Sequence, residues 1–219
     1  MSPLNFALGT LNFPPLYAIV DVDACTRRGR RADDLARAFL AGGARLLQLR
    51  VKDLSGTAFL ELAARMAEDV RAADAALIVN DRADIAVLAG AAGVHVGQDD
   101  LTPTEVRVLL GDGPVVGLST HTAEQMDRAL SEPITYLAIG PIFSTVTKAT
   151  GYEAVGYDAV REAARRAAAA NRPVVAIGGI TLETAPRVIE AGAASVAVIT
   201  DLLTDDPEAR VRQYLSALR

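Results

Sequence analysis

The segment ALIVNDRADIAVLAGAAGVHVGQDD, residues 76–100, contains the pattern that decides the fold. It holds two short apolar runs, Ala76–Val79 and Val94–Val96, and polar residues follow each run directly. Continuous runs of Val, Ile, Leu and Ala, rather than alternating polar and apolar residues, are typical of parallel strands covered on both faces. The segment therefore predicts two parallel strands with polar side chains at their carboxyl ends.

The same kind of apolar run occurs eight times along the chain and alternates with Ala-rich amphipathic stretches. The other six predicted strands are Leu16–Val20, Leu46–Leu49, Val115–Leu118, Tyr136–Ile139, Val174–Ile177 and Val196–Ile199. The clearest predicted helices are Ala32–Ala41, Thr57–Ala73 and Tyr157–Ala170. Eight such units in 219 residues predict an α/β fold, a single-domain (β/α)8 TIM barrel over residues 14–219. We interpret residues 1–13 as an N-terminal arm, and a doubly wound open sheet is the alternative fold.

Composition narrows the function classes. The net charge is −5 and the basic residues are scattered, which argues against a nucleic-acid groove. No apolar run reaches the roughly 18 residues that a membrane span needs, and no signal peptide is evident at the N-terminus. The single cysteine, Cys25, predicts a cytoplasmic protein without an internal disulfide, and we interpret this thiol as incidental rather than catalytic.

In barrels of this kind the functional residues lie at the carboxyl ends of the strands. The second predicted strand reads QLRVKD, so Gln48, Arg50 and Lys52 stand two residues apart and share one face. Cations on one face of a barrel strand need an anionic ligand or solvent to meet them. An ordinary ion pair with a neighbouring strand is the alternative.

Most basic residues of this chain are arginines, and lysine is rare. Among 22 basic residues only Lys52 and Lys148 are lysines, which suggests two sites that need a compact ammonium group. Lys148 lies in GPIFSTVTKATG, where hydroxyl groups and the ammonium stand in a loop flanked by glycine. Such donors suit the oxygens of a phosphate group, although hydroxyl-rich loops are also common turns.

The last two predicted strands end in AIGGI and VAVIT, with Gly178, Gly179, Ile199 and Thr200 at their ends. Backbone N–H groups after strands seven and eight often bind a phosphate group in these barrels, near the N-terminus of a short helix. The position of this glycine pair within the eightfold pattern therefore predicts a second anion site.

Carboxylates also stand at the predicted rim. Asp81 follows strand three, and Asp99 and Asp100 follow strand four, so Mg²⁺, which takes one or two carboxylates plus phosphate oxygens, is the predicted metal. The alternative is that one of the paired aspartates caps the helix that begins near Pro103. The only histidines are His95, which we predict to be a hydrogen-bonded core residue, and His121, which stands at the rim as an acid–base or supporting group.

Together these motifs resemble the thiamine phosphate synthases from about Tyr17 to Ile199. The strings that carry the resemblance are QLRVKD, NDRADIA, GVHVGQDDL, GLSTHT, GPIFSTVTK, AIGGI and VAVIT. Members of that family are (β/α)8 barrels that join an aminopyrimidine diphosphate to a thiazole phosphate, release diphosphate and use Mg²⁺. The resemblance also suggests a homodimer.

The resemblance assigns a role to each matching position. It implies Asp81 and Asp100 as the Mg²⁺ ligands, and Arg50, Lys52, Lys148 and Ser119 as the catalytic residues. The pyrimidine diphosphate would be held by Gln48, Arg50, Lys52, Asn80, Ser119 and Lys148. The thiazole phosphate would be held by Thr145, Thr147, Gly179, Ile199 and Thr200. Leu49, Val51 and Val146 complete the implied substrate-binding positions.

The chain departs from the family pattern at a few positions. Ser144 stands where the family commonly has Pro, Val146 stands where it has Pro or a charged residue, and Thr200 replaces a more usual Ser. Two alternatives share much of the pattern, a thiazole tautomerase that needs no Mg²⁺ and a non-catalytic sensor of thiamine phosphate. The GQDD string and the retention of Asp81, Asp100 and Lys148 favour the synthase.

Overall fold

A computed structural model of the protein describes residues 13–144 and 151–219. Its strands are β1 Leu16–Asp21, β2 Leu46–Arg50, β3 Ala76–Asn80, β4 Gly93–Val96, β5 Val115–Thr120, β6 Tyr136–Ile139, β7 Val174–Ile177 and β8 Ser195–Val198. Its helices are α1 Val22–Arg27, α2 Ala32–Ala41, α3 Gly56–Ala72, α4 Ala83–Ala89, α5 Pro103–Leu110, α6 Ala123–Ser131, α7 Gly156–Ala169, α8 Ala185–Glu190 and α9 Pro207–Ala217. A short 3₁₀ helix, Thr200–Leu202, follows β8.

The eight strands are all parallel and form a closed barrel in sequence order, in which β8 pairs with β1. In the register of the first pair, Asp21 lies opposite Arg50. Asn80 of β3 lies opposite His95 of β4 in the same way. The (β/α)8 prediction is confirmed, and the open-sheet alternative is wrong.

The strands are mostly apolar because both of their faces are covered. Residues that point outward pack against the surrounding helices in one large core, to which Leu47, Leu49 and Val79 belong. Residues that point inward, among them Ile19 and Ile78, fill the barrel in a second, smaller core. Burial on both faces removes the solvent-facing positions that would otherwise carry polar residues.

Several strands extend further toward the functional end of the barrel than the sequence predicted. Four strands continue one or two residues further than predicted, to Asp21, Arg50, Asn80 and Thr120. The apolar pattern stops where side chains begin to face the rim, but the backbone continues to pair with its neighbours. These four polar rim residues therefore belong to the strands themselves, which hold them more rigidly than loops would.

The N-cap of α5, the helix after β4, is neither Asp99 nor Asp100. Thr102 is the N-cap of α5, Glu105 completes a capping box, and Pro103 follows at the start of the helix. The interpretation of Asp99 or Asp100 as the cap is therefore wrong, because the side chain of Thr102 accepts the hydrogen bond from the Glu105 N–H.

Within residues 13–144 and 151–219, none of the helices is both long enough and apolar enough to cross a membrane.

Candidate active site

A cavity of about 350 Å³ lies at the carboxyl ends of the strands, where function was predicted. Its volume falls in the range of small-molecule sites. Seven of the predicted site residues line it: Gln48, Arg50, Asn80, Ser119, Gly179, Ile199 and Thr200. Sequence reasoning had not assigned the lining residues Ile19, Ile177, Ala197 and Asp201 to the site.

The other predicted residues lie beside the cavity, within the core or outside the described chain. Lys52, Asp81 and Asp100 stand on the neighbouring rim, close to one another. The side chains of Leu49 and Val51 belong to the hydrophobic core, so only their backbone can face a ligand. Thr145, Val146, Thr147 and Lys148 lie outside the described residues, and their roles stay predictions.

The end of β1 contributes a carboxylate that sequence reasoning missed. Asp21 is buried and forms an ion pair with Arg50 on β2. Its second oxygen accepts a hydrogen bond from the backbone N–H of Ala24 at 2.8 Å and so caps α1. The signal was an aspartate directly after the apolar run LYAIV. Arg50 is held at the wall of the cavity in a fixed orientation.

Lys52 is also paired, although it is far more exposed than Arg50. Its ammonium nitrogen lies 2.7 Å from Oδ2 of Asp81 at the end of β3. Arg50 at the end of β2 and Lys52 just after it are thus both paired with carboxylates at the ends of the adjacent strands, as the ion-pair alternative predicted. Each of them still borders the rim and can meet an anion there.

The two predicted metal ligands lie next to each other. Asp81 has the positive φ of 65° that side chains rarely adopt, and its backbone N–H donates to the carbonyl of His95 at 2.8 Å. Asp100 accepts a hydrogen bond from the backbone N–H of Gly97 at 2.8 Å. The pKa of the Asp100 carboxyl is raised, first by desolvation and then by the carboxylate of Asp81.

This pair fits a hard divalent cation. Two adjacent carboxylates repel each other, and a bound cation would relieve that repulsion. Within the described chain no three His, Cys, Asp or Glu side chains form a metal-binding group. A cation here would need further oxygens from water or from phosphate groups, which is the usual arrangement for Mg²⁺. Asp99 is exposed on the same loop.

A buried polar network occupies the barrel beneath the cavity. His95 contacts the hydroxyl of Tyr136 through Nδ1 and the hydroxyl of Ser119 through Nε2, both at 2.8 Å. The prediction of His95 as a hydrogen-bonded core residue is confirmed. Tyr17 and Tyr136 were missed, and the available signal was a tyrosine within each of two otherwise apolar strands.

His121 lies at the cavity wall between β5 and β6. Its Nδ1 donates to the carbonyl of Gly140, and its ring stacks on Tyr152 with 4.0 Å between the ring centres. Gln125 contacts both neighbours, since it accepts from the His121 backbone N–H and donates to the Tyr152 hydroxyl. These contacts hold the imidazole in place.

The ends of β7 and β8 form the opposite wall. Gly178 and Gly179 both have positive φ, at 104° and 64°. A Cβ atom on Gly179 would come within 2.7 Å of the carbonyl oxygen of Ser144, so close backbone packing requires glycine here. Asp201 accepts hydrogen bonds from the Leu182 N–H and the Tyr214 hydroxyl and thereby ties the two strand ends together.

Cys25 is not among the residues that line the cavity. Cys25 is buried on α1, and burial, followed by the nearby charge of Asp21, raises the pKa of its thiol to about 11. A thiol that stays protonated at neutral pH is a poor nucleophile, which agrees with the interpretation of Cys25 as incidental.

The fold and this rim define a (β/α)8-barrel protein with a small-molecule site at the carboxyl ends of its strands. The sequence profile of the thiamine monophosphate synthase family matches residues 16–202. The chain belongs to that family, whose members named below are transferases, as the resemblance implied.

Known relatives agree with this assignment. The thiamine-phosphate synthase of Koribacter versatilis is 45% identical over 210 residues, covering 95% of this chain and 97% of that protein. The thiamine-phosphate synthase of Roseiflexus castenholzii is 40% identical over 198 residues, covering 90% of this chain and 85% of that protein. The structure of thiamine phosphate pyrophosphorylase from Pyrococcus furiosus superposes with a TM-score of 0.82 at 26% identity, covering 93% and 94% of the two chains.

Proposed function

We propose that this protein joins 4-amino-2-methyl-5-pyrimidinylmethyl diphosphate to a thiazole phosphate, giving thiamine phosphate and diphosphate. The observation that carries the proposal is the placement of Lys52, Asp81 and Asp100 together on the rim beside the Arg50 wall of the cavity. Carboxylates for a cation and cations for an anion are what a metal-bound diphosphate requires. The family match supports the same reaction.

The residues present fit Mg²⁺, and Asp81 and Asp100 would hold it. When bound, the ion would neutralise part of the charge on the diphosphate oxygens. Arg50 and Lys52 would bind the same group, Arg50 from the cavity wall and Lys52 after it leaves Asp81. The resemblance to the family adds Lys148 as a third cation for this group. Charge that builds up on a leaving group is stabilised best by fixed cations in a site with little water.

The proposed reaction breaks one bond and forms one bond. Electron density from the aminopyrimidine ring assists departure of the diphosphate, so the methylene C–O bond breaks and the pair of electrons leaves with the oxygen. The thiazole nitrogen then donates its lone pair to the cationic methylene carbon and forms the C–N bond. No protein nucleophile is needed, and the buried thiol of Cys25 agrees with that.

The thiazole phosphate would bind at the other wall. Gly179, Ile199 and Thr200 line the cavity there, and the 3₁₀ helix Thr200–Leu202 begins at this point. Backbone donors at such a helix start suit phosphate oxygens. Thr145 and Thr147 are added to this phosphate site by resemblance.

Release of diphosphate from the two substrates, measured with and without Mg²⁺, tests the proposal. We expect release only when both substrates and Mg²⁺ are present. A parallel assay with the thiazole carboxylate phosphate alone detects a tautomerase. Isomerisation without diphosphate release would replace the synthase by that alternative, and binding without either reaction would favour the sensor.

A homodimer and a cytoplasmic location are further parts of the proposal. Four apolar side chains are exposed on the neighbouring helices α4 and α5, namely Val87, Leu88, Val108 and Leu109. Helices α2, α7 and α9 carry ion pairs between residues of the same helix on their surfaces. Light scattering of the native protein and of Val108→Lys tests whether this surface joins two copies. A monomeric native protein would contradict the dimer.

A further inference from the structure

Five polar side chains form a continuous hydrogen-bonded chain through the interior of the barrel. Gln48 donates from Nε2 to the hydroxyl of Tyr17 at 2.9 Å, and that hydroxyl lies 3.1 Å from the hydroxyl of Tyr136. Tyr136 contacts Nδ1 of His95, and Nε2 of His95 contacts Ser119, both at 2.8 Å. All five residues are buried, and the two tyrosines are enclosed almost completely.

The donors and acceptors give this chain a direction. Each tyrosine hydroxyl has one proton, and burial raises the pKa of both groups, so both keep it. Tyr17 accepts from Gln48, and among the described residues its hydroxyl bonds only to Gln48 and Tyr136. The proton of Tyr17 must therefore go to Tyr136, because otherwise it would be buried without an acceptor.

The direction continues through the histidine. A Tyr136 hydroxyl that accepts from Tyr17 donates its own proton to Nδ1 of His95. The remaining ring proton then sits on Nε2, which donates to Oγ of Ser119. Every hydroxyl proton of the chain is then donated to the next member, except that of Ser119, which is the last member. Ser119 lines the cavity, whereas the two tyrosines do not.

We infer that the chain from Gln48 to His95 fixes Ser119 as a hydrogen-bond donor toward the ligand, with Tyr17 and Tyr136 as positioning residues. Because the Ser119 oxygen already accepts from His95, its proton is directed to an acceptor atom of the pyrimidine diphosphate. This role rests on the proposed function. A donor that strengthens as charge develops on its acceptor lowers the barrier more than it improves ground-state binding.

The tautomer of His95 tests the direction without any catalysis. The chain has only two histidines, so ¹⁵N NMR of the imidazole nitrogens can be assigned by comparison with His121→Asn. We expect a protonated Nε2 and an unprotonated Nδ1 on His95. A proton on Nδ1 would reverse the chain and overturn the inference, even if the protein proved to be an active synthase.

Kinetics test the consequence for the reaction. Tyr136→Phe should lower kcat on the order of 10-fold with little change in the KM for the pyrimidine diphosphate, as for other groups that orient a contact residue. Ser195→Ala is the matched control, because it removes a buried hydroxyl of the barrel that has no hydrogen-bond partner. Thermal unfolding of both variants separates a folding defect from a positioning defect, and Tyr17→Phe replaces Tyr136→Phe if the latter does not fold.

A double-mutant cycle decides whether the effect passes through Ser119. In the Ser119→Ala background, Tyr136→Phe should cause no further loss of kcat. The same 10-fold loss in both backgrounds would overturn the inference. If the native protein releases no diphosphate, the proposed function fails while the NMR result still stands on its own.

Discussion

Arg50 and Asp21 form a buried ion pair where β1 and β2 end side by side, in direct register. The Asp21 side chain is 2% exposed and that of Arg50 is 11% exposed, so neither charge is well solvated. In the proposed function this guanidinium faces a diphosphate. Asp21 therefore supports the site by holding the Arg50 side chain in a fixed orientation at the wall of the cavity.

The first prediction concerns this pair. Asp21→Asn keeps the cap of α1 but leaves the Arg50 charge buried without its carboxylate, so we expect the free energy of unfolding to fall by about 3 kcal/mol. Inorganic diphosphate with Mg²⁺ should restore part of the loss, because the anion takes the place of the carboxylate. Denaturant titrations with and without diphosphate measure both effects. Asp23→Asn, on the same helix, is the control, and equal losses in the two variants would contradict the prediction.

The second prediction concerns the metal ligands. Asp100→Asn should weaken Mg²⁺ binding and lower Mg²⁺-dependent turnover on the order of 10²-fold, since it removes a charged ligand from an electrostatic site. The amide oxygen can still accept from the Gly97 N–H, so the loop should keep its shape. Asp99→Asn changes the neighbouring carboxylate of the same loop, where both aspartates are exposed, and it should have little effect. Calorimetric titration with Mg²⁺ and assays of diphosphate release test this, and identical behaviour of the two variants would refute Asp100 as the ligand.

The third prediction concerns Gly179. Its positive φ and its contact with Ser144 mean that Gly179→Val would disturb the neighbouring loop as well as any bound phosphate. Gly179→Ala is the smaller change, and we expect it to raise the KM for the thiazole phosphate more than that for the pyrimidine diphosphate. Gly29→Ala is the control, because Gly29 has nearly the same φ as Gly179, 63° against 64°, but open space around its Cβ position. The control variant carries only the conformational strain of a positive φ, about 1 kcal/mol. Any further drop in the melting temperature of Gly179→Ala then measures the cost of close packing. Equal increases in both KM values would contradict the assignment of the phosphate site.

The fold was predictable from the sequence because burial on both faces leaves a short, predominantly apolar run at every strand. Tyr136–Ile139 and Val174–Ile177 were predicted with the bounds that the structure shows. The polar side chains after each apolar run were also predictable as rim residues, since the barrel brings all the strand ends together.

Pairings across the barrel were not predictable, because sequence order does not show which side chains meet. Asp21 and Arg50 are 29 positions apart, and Tyr17 and Tyr136 are 119 positions apart. The two tyrosines of the interior network were also missed, since a tyrosine contributes to a hydrophobic run in the sequence as readily as a phenylalanine does. Only the register of the strands places its hydroxyl against a histidine.

The last prediction concerns Lys52 and its 2.7 Å contact with Asp81. If Asp81 binds Mg²⁺, the ammonium and the metal compete for the same carboxylate in the free enzyme. Lys52→Ala should therefore bind Mg²⁺ at least as tightly as the native protein, while kcat falls on the order of 10²-fold because the diphosphate loses a cation. Lys52→Arg should restore only part of kcat, because a planar guanidinium cannot follow the departing oxygen as a compact ammonium does.

The result that supports this role of Lys52 is a lower kcat of Lys52→Ala without any loss of Mg²⁺ affinity. Calorimetry of the substrate-free protein gives the Mg²⁺ affinity, and steady-state diphosphate release gives kcat. Arg82→Ala is the control, since it removes the cation next to Asp81 in sequence, whose own partner is Asp84. Weaker Mg²⁺ binding by Lys52→Ala would show that the lysine supports the metal site instead of competing with it. Unchanged kcat would remove Lys52 from the diphosphate site, because a cation that contacts the departing oxygens cannot be lost without slowing their departure.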